Sequence, residues 1–96
     1  MPYKNPDHIP QLQNPHGTKL DVNVTFDADG KLHIYYIRFE DDTHERFVYK
    51  INTTRLYQST FRIETYDCTY VARNCVHHLA VVFNASEHKW FLGSFN

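Results

Sequence analysis

Glycine is scarce in this chain, at three residues in 96. That scarcity argues against a glycine-rich loop cradling phosphates, which needs several close backbone approaches in a row. Cysteine is scarce too. The two present, Cys68 and Cys75, do not make a disulfide-dense scaffold. They bracket an expected hairpin turn, where a disulfide is one reading and two free thiols the favoured one. No apolar run is long enough for a membrane-spanning helix. The opening residues Met1-Pro2-Tyr3-Lys4-Asn5-Pro6 have no apolar signal-peptide core, so the expectation is a cytoplasmic protein with no membrane partner. Neither charge sign dominates: ten Lys and Arg stand against eleven Asp and Glu, for a net charge of −1. The chain as a whole therefore lacks the positive field of a dedicated polyanion binder.

Aromatic residues are abundant. Seven Tyr and seven Phe, with hydrophobic residues at 42%, argue against disorder and favour strands over a helical bundle. The length suits one domain.

Residues 1–17 carry Pro2, Pro6, Pro10 and Pro15 without apolar periodicity. They read as an extended N-terminal arm, ahead of one antiparallel β domain over 18–96. In the first strand, Leu20, Val22, Val24 and Phe26 alternate with Asp21, Asn23 and Thr25, a period of two. Asp27-Ala28-Asp29-Gly30 supplies a turn. It resembles the start of a calcium loop, but the twelfth position is Arg38 and the setting is a hairpin, so calcium is not expected. The second strand runs from about Leu32 to Glu40. Unbroken alternation puts Ile34 and Tyr36 on one face and Tyr35, Ile37 and Phe39 on the other. Both faces then carry apolar bulk and want cover.

The third strand, about 45–51, groups Phe47, Tyr49 and Ile51. Residues 52–58 suggest at most one short helical turn. A fourth strand is expected over about 60–70, a fifth over about 75–84 and a sixth over 89–92. Ala72-Arg73-Asn74 makes the turn before the fifth strand, with Asn74 suited to a left-handed conformation. The fold class is thus all-β and mostly antiparallel: about six strands in a meander, forming a twisted sheet, a partly open barrel or a small sandwich.

Chemistry is weakly signalled. Cys68, Cys75 and His77 make the best metal trio, yet they lack a recognised ligand spacing. No cofactor is expected. No nucleophile elbow or Cys–His signature occurs, so no catalytic residue is assigned. The first functional expectation is a non-enzymatic binding module that self-associates as a homodimer through a sheet face or edge, with Tyr35, Ile37 and Phe39 as interface candidates. The second is a β barrel that binds single-stranded nucleic acid through Arg38, Lys50, Arg62, Tyr35, Tyr36 and Tyr66. The third is a small enzyme whose site is assembled only in space.

Overall fold

The computed structural model describes residues 2–95. Seven strands follow in chain order: β1 (Lys19–Phe26), β2 (Leu32–Glu40), β3 (Arg46–Lys50), β4 (Thr53–Thr60), β5 (Ile63–Ala72), β6 (Cys75–Asn84) and β7 (Lys89–Phe95). They form one antiparallel sheet in the order β3-β2-β1-β7-β6-β5-β4, not closed into a barrel. Two meanders, β1-β2-β3 and β4-β5-β6-β7, meet where Lys19 and Leu20 pair with Phe91 and Trp90. The segment expected to hold a helical turn is instead β4. Ile51 N–H still bonds to Tyr35 of β2, while Asn52 N–H already bonds to Thr69 of β5. The chain therefore changes sheet partner between consecutive residues, which leaves no room for a helical turn.

The sheet curls, and its inner face is the core. Leu20, Ile34, Ile37, Phe39, Phe47, Tyr49, Ile51, Tyr66, Cys68, Tyr70, Ala72, Leu79, Val81 and Leu92 are all buried there. An aromatic seam ties the two meanders together. Phe39 stacks on Phe47 at 5.5 Å, Tyr49 lies 4.8 Å from Tyr70, and Tyr70 stacks on Phe95 at 6.3 Å. Each ring pair adds about 0.5–1.5 kcal/mol beyond the area it buries.

Three bulges produce the curl, because an extra residue in one strand bends it and increases its twist. Tyr35 is the extra residue on β2, since Asn23 pairs with Tyr36 and Val24 with Ile34. Tyr57 has that place on β4 and Gly93 on β7. At Gly93 the chains approach closely: a Cβ there would meet Val82 Cγ2 at 3.0 Å.

The Tyr35 bulge corrects the face assignment on β2. It shifts the alternation by one, so Ile34, Ile37 and Phe39 all point inward while Tyr35 and Tyr36 are both exposed. β2 therefore has one apolar face, not two.

The turns use few glycines. Gly30 takes φ 82°, but His44, Arg62, Arg73, Asn74 and His88 also adopt positive φ, from 51° to 67°. Asn74 does so as expected, and Arg73 joins it in the β5–β6 turn.

The residues ahead of β1 close the fold along the β3 side. Lys4 N–H donates to the Arg46 carbonyl at 2.8 Å, and Val48 N–H donates to the Lys4 carbonyl at 3.0 Å. These bonds occupy part of the outer edge of β3. Further along, Asp41 gathers four donors: Gln11 N–H (3.0 Å), Thr43 N–H (2.9 Å), Thr43 Oγ1 (2.7 Å) and Glu45 N–H (3.0 Å). Arg73 N–H donates to Asp7 Oδ1 at 2.7 Å, and its guanidinium donates to the Pro6 carbonyl at 3.0 Å.

Candidate functional site

Two surfaces stand out: the edge strand β4 and a groove on the outer face of β1 and β2. β4 is exposed along its length except at half-buried Thr54. Its inner edge pairs with β5 from Thr53–Thr69 to Thr60–Ile63. On its other side, Thr54 Oγ1 accepts from Ile34 N–H at 3.1 Å and donates to the Ile34 carbonyl at 3.4 Å. Beyond Thr54, no strand among the described residues lies on that side of β4. Leu56 (51% exposed), Tyr57 (64%) and Phe61 (83%) project from this hairpin, with the Arg62 guanidinium 4.9 Å from the Phe61 ring centre. The one charged side chain of β4, Arg55, is held by Asp67 at 2.8 Å.

The groove opens where β1 leaves β7. Lys19 and Leu20 pair across that junction, preceded by Gly17 and Thr18, which hydrogen-bond to Leu92, and from Asp21 onward the strands part. The resulting hollow of about 810 Å³ is lined by Asp21 and Asn23 of β1, by Tyr36, Arg38 and Val48 of β2 and β3 to one side of them, and by His88, Lys89 and Trp90 at the start of β7 to the other. A second hollow of about 410 Å³ shares Lys19, Asp21 and Arg38 with the first and extends to Tyr3, Glu40 and Arg46. The Arg38 guanidinium sits 5.8 Å from the Tyr3 ring centre, within cation–π range.

The sequence candidates divide between these places. Tyr36 pairs with Lys50 and Arg38 with Val48 across β2 and β3, so Arg38, Lys50 and Tyr36 share the outer face. Tyr35 is exposed at its bulge. Arg62 lies far along the chain in the β4–β5 turn, and Tyr66 is buried, with burial pushing its hydroxyl up to about 12. Neither Arg62 nor Tyr66 joins the outer face. Of the interface trio, Ile37 and Phe39 are in the core and only Tyr35 reaches the surface. Sequence reading missed Lys19, Arg46, Lys89 and Tyr3 at the groove and Leu56, Tyr57 and Phe61 at the edge. Unguarded Leu56-Tyr57 with no flanking Pro or Lys was the available sign for the edge. Lys19 and Lys89 lie at opposite ends of the chain and gave no local sign.

Cys68 is buried, Cys75 is exposed, and both are free thiols. Cys68 pairs with Leu79 and Cys75 with Ala72, so the two cysteines do not face each other. Burial pushes the Cys68 thiol up to about 12, the Asp67 charge adds to this, and a hydrogen bond with Thr54 opposes it. His77 stacks on Tyr70 at 5.3 Å, and its Nε2 lies 3.1 Å from the Ala72 carbonyl. A carbonyl only accepts, so that nitrogen carries the proton and is not free as a ligand. Among the described residues no three His, Cys, Asp or Glu side chains converge in a way that could hold a metal ion. The Asp27 carboxylate is engaged locally by Asp29 N–H, Lys31 N–H and His33. No helix among the described residues is long and apolar enough to cross a membrane.

The fold defines an all-β protein built on one curled antiparallel sheet. No family model, no curated protein and no solved structure matches this chain.

Proposed function

We propose that this chain is a non-enzymatic binding module that pairs with a second copy of itself along β4. The contrast between the two sheet edges carries this reading. Part of the edge of β3 is occupied by the Lys4 backbone. Beyond Thr54, no strand among the described residues pairs with the outer edge of β4. Proteins guard exposed edges with lysine, proline, a bulge or a covering segment, because unpaired backbone groups recruit other strands, and of these β4 carries only the bulge at Tyr57. β4 has no proline or lysine, and its Arg55 is neutralised by Asp67. Antiparallel pairing of two copies about Tyr57 would bring no like charges face to face. It would also bring Leu56 and Tyr57 of the two copies together.

Sedimentation equilibrium tests the reading. A dimer is expected for the unaltered chain, and a monomer for Leu56→Lys/Tyr57→Lys with its thermal midpoint retained. A monomer mass for the unaltered chain at about 1 mM, the weakest self-association of interest, overturns it.

A further inference from the structure

The outer groove has a local charge that the whole chain lacks. Lys19, Arg38, Arg46 and Lys89 line it and its extension, against Asp21 and Glu40. Glu40 is already engaged by His44 at 2.7 Å. Among the described residues no ion pair takes Lys19, Arg38 or Arg46, and Lys89 has only a loose contact with Glu87 at 3.9 Å. Lys50 adds a further cation on the same face, beside Tyr36.

We infer that this groove binds the backbone of single-stranded nucleic acid, with Arg38, Lys19, Arg46 and Lys89 on phosphates and Tyr36 as the stacking platform for a base. The charge argument selects an anion that extends over several positions. The cations come from four adjacent strands, β3, β2, β1 and β7, and so are spread across the sheet. A single phosphate would leave most of them unused.

The rings select bases. Tyr36 is 44% exposed and Tyr3 40%, each beside a cation, and a base stacked on such a ring contributes affinity whatever its sequence. A duplex keeps its bases paired and offers none to Tyr36. An acidic peptide would satisfy the cations but gain nothing from the ring. The site is separate from the β4 edge, so the two readings stand or fall independently.

Fluorescence anisotropy with a labelled oligothymidine of about 15 nucleotides, on the scale of a small single-strand site, tests this. Binding is expected at low salt, weakening with a log–log slope of about −2 to −3, the value for three or four phosphate contacts on a single strand. Arg38→Glu and Lys89→Glu should each weaken binding about tenfold or more through lost and reversed phosphate contacts. Arg62→Glu makes the same charge change in the β4–β5 turn and should leave binding unchanged. Tyr36→Ala should weaken binding without altering the salt slope, and Tyr36→Phe should restore it. Circular dichroism checks each variant, and Lys89→Glu, in an exposed position beside a turn, serves if Arg38→Glu fails to fold. Three results overturn the inference: no binding at low salt, an equal loss in Arg62→Glu, or equal competition by a duplex or a polyglutamate peptide.

Discussion

Thr54 stands in for a missing strand residue beside Ile34. Its single hydroxyl takes both the N–H and the carbonyl of Ile34, groups that β3 no longer reaches because it ends at Lys50. Thr54→Val keeps the shape and removes the hydroxyl. Two backbone groups of a residue only 3% exposed then lose their partner. A loss of about 1–3 kcal/mol is expected in urea unfolding, with Thr54→Ser costing less. A neutral Thr54→Val would show that water replaces the hydroxyl.

Asp41 makes the fold acid-sensitive. Burial pushes its carboxyl up, but donors from Gln11, Thr43 and Glu45 outweigh burial and hold it below the ordinary 3.8. A carboxyl depressed in the folded state stabilises above its unfolded value, and that contribution fades as the pH falls through the folded one. Asp41→Asn puts an amide among N–H donors. At pH 7 it should lose about 2–3 kcal/mol, the scale of hydrogen bonds to a charged group. The gap between the two proteins should narrow as pH drops below about 3.8. Chemical denaturation at pH 7 and pH 3 checks this, and a gap independent of pH would contradict it.

The thiols should differ sharply. Ellman's reagent is expected to find one reactive thiol in the native protein, Cys75, and two in denaturant. Cys68 is withheld by burial and a raised thiol value, since only an accessible thiolate attacks. Two fast thiols without denaturant would mean that the core opens at β5.

Much of this architecture was legible in the sequence, for physical reasons that particular strands make plain. β6 was readable to its ends because Leu79 and Val81 face the core and the turns flank them closely. β2 was readable as a strand but not in its facing, since a bulge at Tyr35 leaves no mark beside a second tyrosine. β4 was unreadable because Thr53–Thr60 packs against no core beyond Thr54 and so shows no alternation. The groove was half readable. Arg38, Lys50 and Tyr36 come from neighbouring strands, whereas Lys19 and Lys89 meet only through the β1–β7 junction.

His88 offers a stabilising change. It holds φ 55° in the turn ahead of β7, a region costing about 1–2 kcal/mol for a residue with a Cβ. His88→Gly removes that strain and gives back part of the gain as chain entropy. A net gain of about 0.5–1 kcal/mol is expected in thermal or urea unfolding. Because His88 also lines the groove, the substitution should be kept out of binding comparisons.

The short β1–β7 junction has a kinetic consequence. Every other strand pair joins neighbours in the sequence, so each meander can assemble from local hairpins. Lys19 and Leu20, by contrast, must find Phe91 and Trp90 across nearly the whole chain. Closing so long a loop costs more entropy than closing any hairpin, and the short ladder between residues 17–20 and 90–92 repays only part of it. The two meanders should therefore form first and the junction last. The groove that opens beside that junction then comes into being only in the final step, so ligand capture there reports on the finished protein alone.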